Sequence, residues 1–170
     1  MRLLRGLLLV AVVSAFGGCA GYKLGPTNEL RAGEKSVQVV PFSNQTLEPR
    51  LSDAVTVNLR RQLQQDGTFR LASHETGDIV VSGTITKYER VEQSLVPNDV
   101  ATGQDYRLSM TAKVTARERA TDKTILDEAV SGHTLIRVSS DLSSIERQAL
   151  PLLAADLAKN ITALLVDGSW

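Results

Sequence analysis

Few residues in this 170-residue chain can do chemistry. There is one thiol, Cys19, and there are two imidazoles, His74 and His133. Acids and bases are present in equal number, 19 of each. A lone thiol cannot close an internal disulfide, and an unpaired one in an oxidising compartment needs an explanation. The histidines stand far apart and in no metal-ligand spacing. His74 lies in a polar turn and His133 in a strand pattern, so both read as surface or structural side chains. Asp127 and Glu128 are adjacent, and a strand would turn them to opposite faces. That is a poor layout for paired catalytic carboxylates. Ser139, Ser140, Ser143 and Ser144 precede a helical stretch, where capping accounts for them. Neither G-x-S-x-G, H-E-x-x-H nor a phosphate-binding loop occurs. The chain therefore reads as non-enzymatic, with no catalytic residue, no metal site and no cofactor.

The setting of Cys19 gives its thiol a use. Arg2 and Arg5 precede an apolar run from Leu7 to Phe16, which Gly17-Gly18-Cys19 closes. A charged start, a short apolar core and small residues are the pattern of a secretory signal peptide. The run is shorter than the roughly 20 residues of a membrane span. The segment resembles the bacterial lipobox, in which a lipid is attached to the cysteine and cleavage falls just before it; Phe16 stands where Leu is usual. Residues 1–18 are thus expected to be a signal peptide and Cys19 a lipid-attachment site, carrying palmitate-type chains. Each buried methylene contributes about 0.8 kcal/mol, and one chain alone holds only marginally. The several chains of a lipoprotein cysteine give a stable anchor. Ala20, rather than Asp, follows it, which in the best-studied sorting pathway implies the outer membrane. Loss of Arg2 and Arg5 leaves 17 basic against 19 acidic residues, a formal charge of −2. So near-neutral a chain carries no global footprint for nucleic acid.

The elements behind these residues follow from periodicity. Residues 19–35 hold Gly21, Gly25, Pro26, Asn28 and Gly33, the composition of a tether, and residues 36–170 suit a single domain. SVQVVPF alternates, with Val37 and Val39 on one side, and Pro41 limits it to an edge or a strand end. Leu51, Val55, Leu59 and Leu63, with Ala54 beside them, form one apolar helix face. Pro49 suits that helix's first turn and Gly67 its stop, while Arg60 and Arg61 fall off the stripe. TFRLAS is a short strand. In DIVVSGTITKYERVEQSL, Ile79, Val81 and Ile85 share one phase and Tyr88 takes the other, which places a bulge or a switch of face near Lys87. VPNDVATGQ reads as a loop.

The cleanest alternation is QDYRLSMTAKVTARER. Tyr106, Leu108, Met110, Ala112, Val114 and Ala116 point one way, and Arg107, Ser109, Thr111, Lys113, Thr115 and Arg117 the other. An antiparallel sheet with one wet face gives this pattern. ATDK turns the chain back into TILDEAVSGHTLIRV, where Gly132 marks a bulge position. The last stretch is helical. It has a capping-box pair Ser143/Glu146, a stripe of Ala149, Leu153, Leu157, Ile161, Leu164 and Leu165, a kink or restart at Pro151, and an end at Gly168. The order β-α-β-β-β-β-α predicts an α+β two-layer sandwich, with two helices on one face of a mostly antiparallel four- to five-stranded sheet. Its other face carries a basic stripe of Lys87, Arg90, Arg107, Lys113 and Arg117 among threonines. Such a stripe can hold phosphate by charge-assisted hydrogen bonds.

Several stretches together resemble one family: GYKLGP after Cys19, SVQVVPFSNQTLEPRLSDAVTVNLRRQLQQDG, DIVVSGTI, QDYRLSMTAKVT and ERQALPLLAADLAKNI. They are similar to the lipopolysaccharide-assembly lipoprotein LptE family over nearly all of residues 19–170. The resemblance implies an outer-membrane lipoprotein, held by its lipid. It implies pairing with the β-barrel LptD as a plug and help in inserting lipopolysaccharide, without a catalytic step. It also implies a two-helix, one-sheet fold. Cys19 is the one residue it carries over; the basic stripe is read from the strands themselves. An alternative stays open. VVPFSNQT also suits periplasm-facing lipoproteins with a domain of the TolB N-terminal type, which activate or scaffold other envelope machines. A copurifying barrel would favour the first reading and a cell-wall synthase the second.

Overall fold

The structure is a computed structural model and describes residues 32–73, 76–93, 104–138 and 141–168. Three long strands dominate it: β4 (Ile79–Glu92), β5 (Gln104–Glu118) and β6 (Thr124–Val138), each antiparallel to the next. The β5–β6 hairpin turns where expected, with Asp122 at a positive φ of 54°. Three short strands complete the sheet: β1 (Ser36–Val39), β2 (Ser43–Asn44) and β3 (Arg70–Leu71). Their pairings are parallel, β1 with β3 and β4, and β2 with β4. The sheet order is β3-β1-β4-β5-β6, with β2 alongside β4. It is therefore a mixed sheet of six strands, where the sequence predicted a mostly antiparallel one of four or five. The reason is connectivity. Helix α1 (Leu51–Asp66) returns the chain to the end of the sheet where it began, as a crossover between parallel strands does. Pro41, without an N–H to give, ends β1, and β2 resumes beyond it.

Helix α1 buries Leu51, Val55, Leu59 and Leu63 together with Thr56. Pro49 lies ahead of its first turn: Leu51 opens the helix, and Arg50 precedes it in the left-handed region, at φ 69°, with no side-chain cap. The entry is shaped upstream instead. Asn44 donates to the Glu48 carbonyl at 2.7 Å and accepts from the Thr46 N–H and hydroxyl at 2.9 and 2.8 Å. Gly67 closes the helix at φ 76°, its N–H on the Leu63 carbonyl, a conformation that costs glycine little.

Helix α2 (Leu142–Asp167) is continuous. Pro151 sits exposed within it, and the helix neither ends nor restarts there. The predicted Ser143/Glu146 box does not form. Asp141 is the N-cap and accepts from the Ser143 N–H at 3.1 Å, which holds its carboxyl below the usual range, chiefly through the bond from the Ser143 hydroxyl. Leu153, Leu157, Ile161 and Leu165 are fully buried, Ala149 nearly so, and Leu164 lies at the exposed margin. Gly168 ends the helix in an extended conformation.

Both helices lie on the same side of the sheet, α1 over β1–β3 and α2 over β5 and β6, and pack against each other. The face beneath them is the apolar phase: Ile79, Val81 and Ile85 with Leu108, Met110, Ala112, Val114 and Ala116, all at zero exposure. The predicted irregularity in β4 falls between Ile85 and Lys87. The extra residue flips the phase and brings Tyr88 to the helix side. Gly132 is not a bulge. It pairs in register with Met110, and the irregularity of that hairpin falls between Ala116 and Arg117. Its missing side chain answers to packing: a Cβ there would meet the Leu157 backbone nitrogen at 2.5 Å and its Cα at 2.8 Å.

That close approach lets α2 attend to the edge of the sheet. β6 is the last strand in the order. The His133 N–H donates to Asp156 Oδ2 at 2.9 Å, and Asn160 Nδ2 donates to the Ser131 carbonyl at 2.8 Å. Spaced four apart, Asp156 and Asn160 share one helix flank and satisfy edge groups on either side of Gly132. Exposed edge groups of this kind template unwanted pairing.

Candidate functional site: the uncovered face of the sheet

The side chains facing away from the helices come from alternate positions of the three long strands, and the register sets them in rows. One row is Val91, Arg107 and Leu135, a second Lys87, Thr111 and Ser131, a third Thr84, Lys113 and Ala129, and a fourth Ser82, Thr115 and Asp127. Lys87, Arg107, Lys113 and Arg117 therefore do share this face. Arg90 does not. The bulge and its spacing of three from Lys87 put it on the helix side, opposite Leu108. There it pairs with Glu146 of α2 at 2.7 Å and lies 5.8 Å from the centroid of the Tyr106 ring. Tyr88 donates its hydroxyl to the same carboxylate, and its own ionisation is pushed far up, first by burial and then by that bond. Arg90 clamps the strands to the start of α2 and leaves the stripe.

Three of the four remaining cations are paired. Lys87 pairs with Glu89 at 2.9 Å, Lys113 with Asp127 at 3.6 Å, and Arg117 with Asp122 at 3.5 Å. At the end of the face Arg137 grips Asp105 through two bonds of 2.7 and 3.0 Å, a fork that lowers the carboxyl's pKa and raises the guanidinium's. Arg107 has no ion pair among the described residues and sits between two exposed aliphatic side chains, Val91 and Leu135. Exposed pairs such as Lys113–Asp127 contribute about 0–1 kcal/mol. Either partner can exchange for another anion or cation at small cost.

Sequence reading missed three features here. It missed the acids that neutralise the stripe: Glu89 and Asp122 lie close in sequence to Lys87 and Arg117, whereas Asp127 comes beside Lys113 only through the hairpin register. It missed the edge cap of Asp156 and Asn160, whose only sequence signal is their spacing of four on a polar helix flank. It also missed a recess beside β2, about 320 Å³ in volume, lined by Val40, Pro41, Ser43, Ser82, Gly83, Thr84, Lys113 and Thr115. Cys19, His74, Ser139 and Ser140 lie outside the described residues. His133 is exposed beside Asp156, with Nδ1 3.5 Å from Oδ2. Among the described residues no three His, Cys, Asp or Glu side chains gather as a metal site would require.

The sheet is mixed, with two helices on one face and, among the described residues, an uncovered, hydroxyl-rich opposite face. The LptE family model, described as lipopolysaccharide-assembly, matches residues 34–165, and the chain belongs to that family. Its members are non-enzymatic lipoproteins of lipopolysaccharide transport. No curated protein matches the sequence. Solved structures share the fold at low identity. A hypothetical protein of Chlamydia trachomatis superposes with TM-score 0.57 and 13% identity, over 79% of this chain and 96% of that one. A minor lipoprotein of Acinetobacter baumannii gives 0.52 and 15%, over 78% and 92%. A Xanthomonas campestris protein gives 0.53 and 9%, over 86% and 91%.

Proposed function

We propose that this chain is a lipid-anchored outer-membrane protein that pairs with an LptD-like β-barrel and assists insertion of lipopolysaccharide, with Cys19 as its anchor. The family match supports the assembly role. The observation that supports the rest is the asymmetry of the sheet: one face is sealed by two helices, and the other, three long strands wide, is uncovered among the described residues, with Lys87, Lys113 and Arg117 in exposed, exchangeable ion pairs. On this reading Lys87, Arg107, Lys113 and Arg117 meet phosphate groups of the glycolipid, since phosphate recognition needs lysine or arginine. A barrel wall that docks on the same face would use the same groups.

Purification in mild detergent from the native membrane tests the partnership: a large β-barrel should copurify, and recovery of a cell-wall synthase in its place would refute it. Labelled palmitate should be incorporated by the natural chain and not by Cys19→Ser; an unlabelled natural chain would end the anchor reading. Reversing Lys113 and Arg117 to Glu should weaken binding to lipopolysaccharide, most at low salt. A double variant that keeps full affinity would remove these residues from the mechanism.

A further inference from the structure

The recess beside β2 arises from a break in the sheet. β1 stops at Val39 and β2 starts at Ser43; Val40 still donates its N–H to the Val81 carbonyl of β4 at 2.9 Å, and with Pro41, which has no N–H to pair, it forms one wall. Phe42 turns inward and is buried. Its ring fills the space under Gly83, where a Cβ would come within 2.2 Å of it. The floor of the recess is thus strand backbone backed by the core. Thr56 of α1 fixes this kink, accepting from the Phe42 N–H at 3.1 Å and donating to the Ser52 carbonyl at 2.7 Å. The recess is held by the fold and is not a gap between mobile side chains.

Four hydroxyls and one ammonium line it. Ser43 and Thr84 lie 2.8 Å apart, oxygen to oxygen, in the same cross-strand row as Lys113. Ser82 and Thr115 form the neighbouring row. Each hydroxyl can donate and accept. Lys113 reaches its acid, Asp127, only at 3.6 Å, with both side chains more than half exposed. Val40 and Pro41 offer an apolar surface at one side. A volume of about 320 Å³ falls at the lower end of small-molecule sites, about 300–1,000 Å³, and exceeds what a bare phosphate fills. An apolar wall, alternating donors and acceptors, and one cation are what a pyranose ring bearing a phosphate requires: C–H groups against the wall, ring hydroxyls to the serines and threonines, the phosphate to the ammonium.

We infer that this recess, built by Ser43, Ser82, Thr84, Thr115 and Lys113 against Val40 and Pro41, is a seat for a phosphorylated sugar. The inference rests on the open face being the glycolipid-handling surface and names the place within it. The same chemistry is presented by a lipid headgroup and by a free sugar phosphate, and the two sources separate by experiment.

The full chain in mild detergent is titrated with glucosamine 1-phosphate, glucosamine, inorganic phosphate and lipopolysaccharide, with backbone amide shifts as the readout. Saturable shifts at Ser43, Ser82, Thr84 and Lys113 are expected with the sugar phosphate, at an affinity about tenfold above either fragment, the scale on which one charge-assisted bond counts. Lys113→Met should lose about tenfold. Ser82→Val, which removes no charge, should also weaken binding. Asp127→Asn should strengthen it several-fold by freeing Lys113, a gain that no folding defect can imitate. Shifts mapping elsewhere, or affinities for both the sugar phosphate and lipopolysaccharide that Ser82→Val and Lys113→Met leave unchanged, overturn the inference; so does the absence of saturable shifts with both. Lipopolysaccharide that binds the natural chain without depending on Ser82 or Lys113 leaves the open-face reading standing and removes the recess. Sugar phosphate that binds through these residues while lipopolysaccharide does not bind at all keeps the recess, assigns it to a free ligand, and removes the glycolipid reading.

Discussion

Strand β5 serves two environments with one backbone. Toward the helices it presents Leu108, Met110, Ala112, Val114 and Ala116, none with any exposed surface. Toward solvent it presents Arg107, Ser109, Thr111, Lys113, Thr115 and Arg117. The first set is held by shape, where a change of one methylene is felt. The second is held by ion pairs between flexible, half-exposed side chains that contribute little to stability. The contrast divides labour: the inner face makes the fold, and the outer face is free to vary for whatever it meets. Interactions that fold the protein and interactions that serve a ligand therefore compete at few positions.

Substitutions can break that division or refine it. Leu59→Ala, at the centre of the α1 stripe, should cost about 2–5 kcal/mol in denaturant melts. A loss below 1 kcal/mol would mean that the helix face is misplaced. Gly132→Ala tests the tightest contact on the inner side. Its methyl would push on the Leu157 backbone, and overpacking of this kind costs about 1–3 kcal/mol; an unchanged melt would mean that α2 does not approach the edge strand so closely. Arg60 looks like an outward residue, yet its Nη2 donates to the Val39 carbonyl at 2.9 Å. Arg60→Ala should lose about 1 kcal/mol, more than a solvated side chain would.

Asp78 sits where the two regimes meet. It accepts from the Ser36 hydroxyl at 2.6 Å and the Ser36 N–H at 2.8 Å, which tie β1 to the turn before β4. These bonds hold its carboxyl below the usual range. Its stabilising effect is fully present above the unfolded value, about pH 4, and is lost as pH falls through the lowered folded value. Acid melts of Asp78→Asn should be flatter in that window than those of the natural chain; parallel curves would refute the assignment. The smallest effect belongs to the outer face. Lys113→Ala with Asp127→Ala should stay within about 0.5 kcal/mol of the natural chain, and a larger loss would mean that this face, too, holds the fold.

Periodicity made much of this legible. Strict alternation in β5 and the four-residue recurrence of Leu51, Val55, Leu59 and Leu63 reflect burial along a single element, which a sequence records directly. The parallel pairing of β1, β2 and β3 was hidden, because strands of two to four residues carry too little pattern and their direction depends on where α1 returns the chain. Arg90 was misplaced for a related reason: one bulge residue reverses every later side chain in β4. Gly132 and Gly83 are readable as glycines, but only tertiary packing distinguishes a bulge from a close approach. At the candidate site the basic residues were visible one by one. The acid beside Lys113 was not, since Lys113 and Asp127 are neighbours through the hairpin register alone, whereas Glu89, two residues along from Lys87, was within reach of the sequence. The recess escaped because its walls come from three strands and from a proline whose effect is the space it leaves.

The attention α2 gives to β6 has a consequence for assembly. A sheet propagates into a fibre only if each unit offers two live margins, one to join and one to be joined. Asp156 and Asn160 occupy the middle of one margin and divide its free backbone into runs too short to template a long neighbour. Held on a membrane surface, as proposed above for this chain, a protein meets its own copies constantly. With one side blunted, edge-to-edge encounters stop at a pair instead of growing, and the broad open face stays available to a different kind of partner.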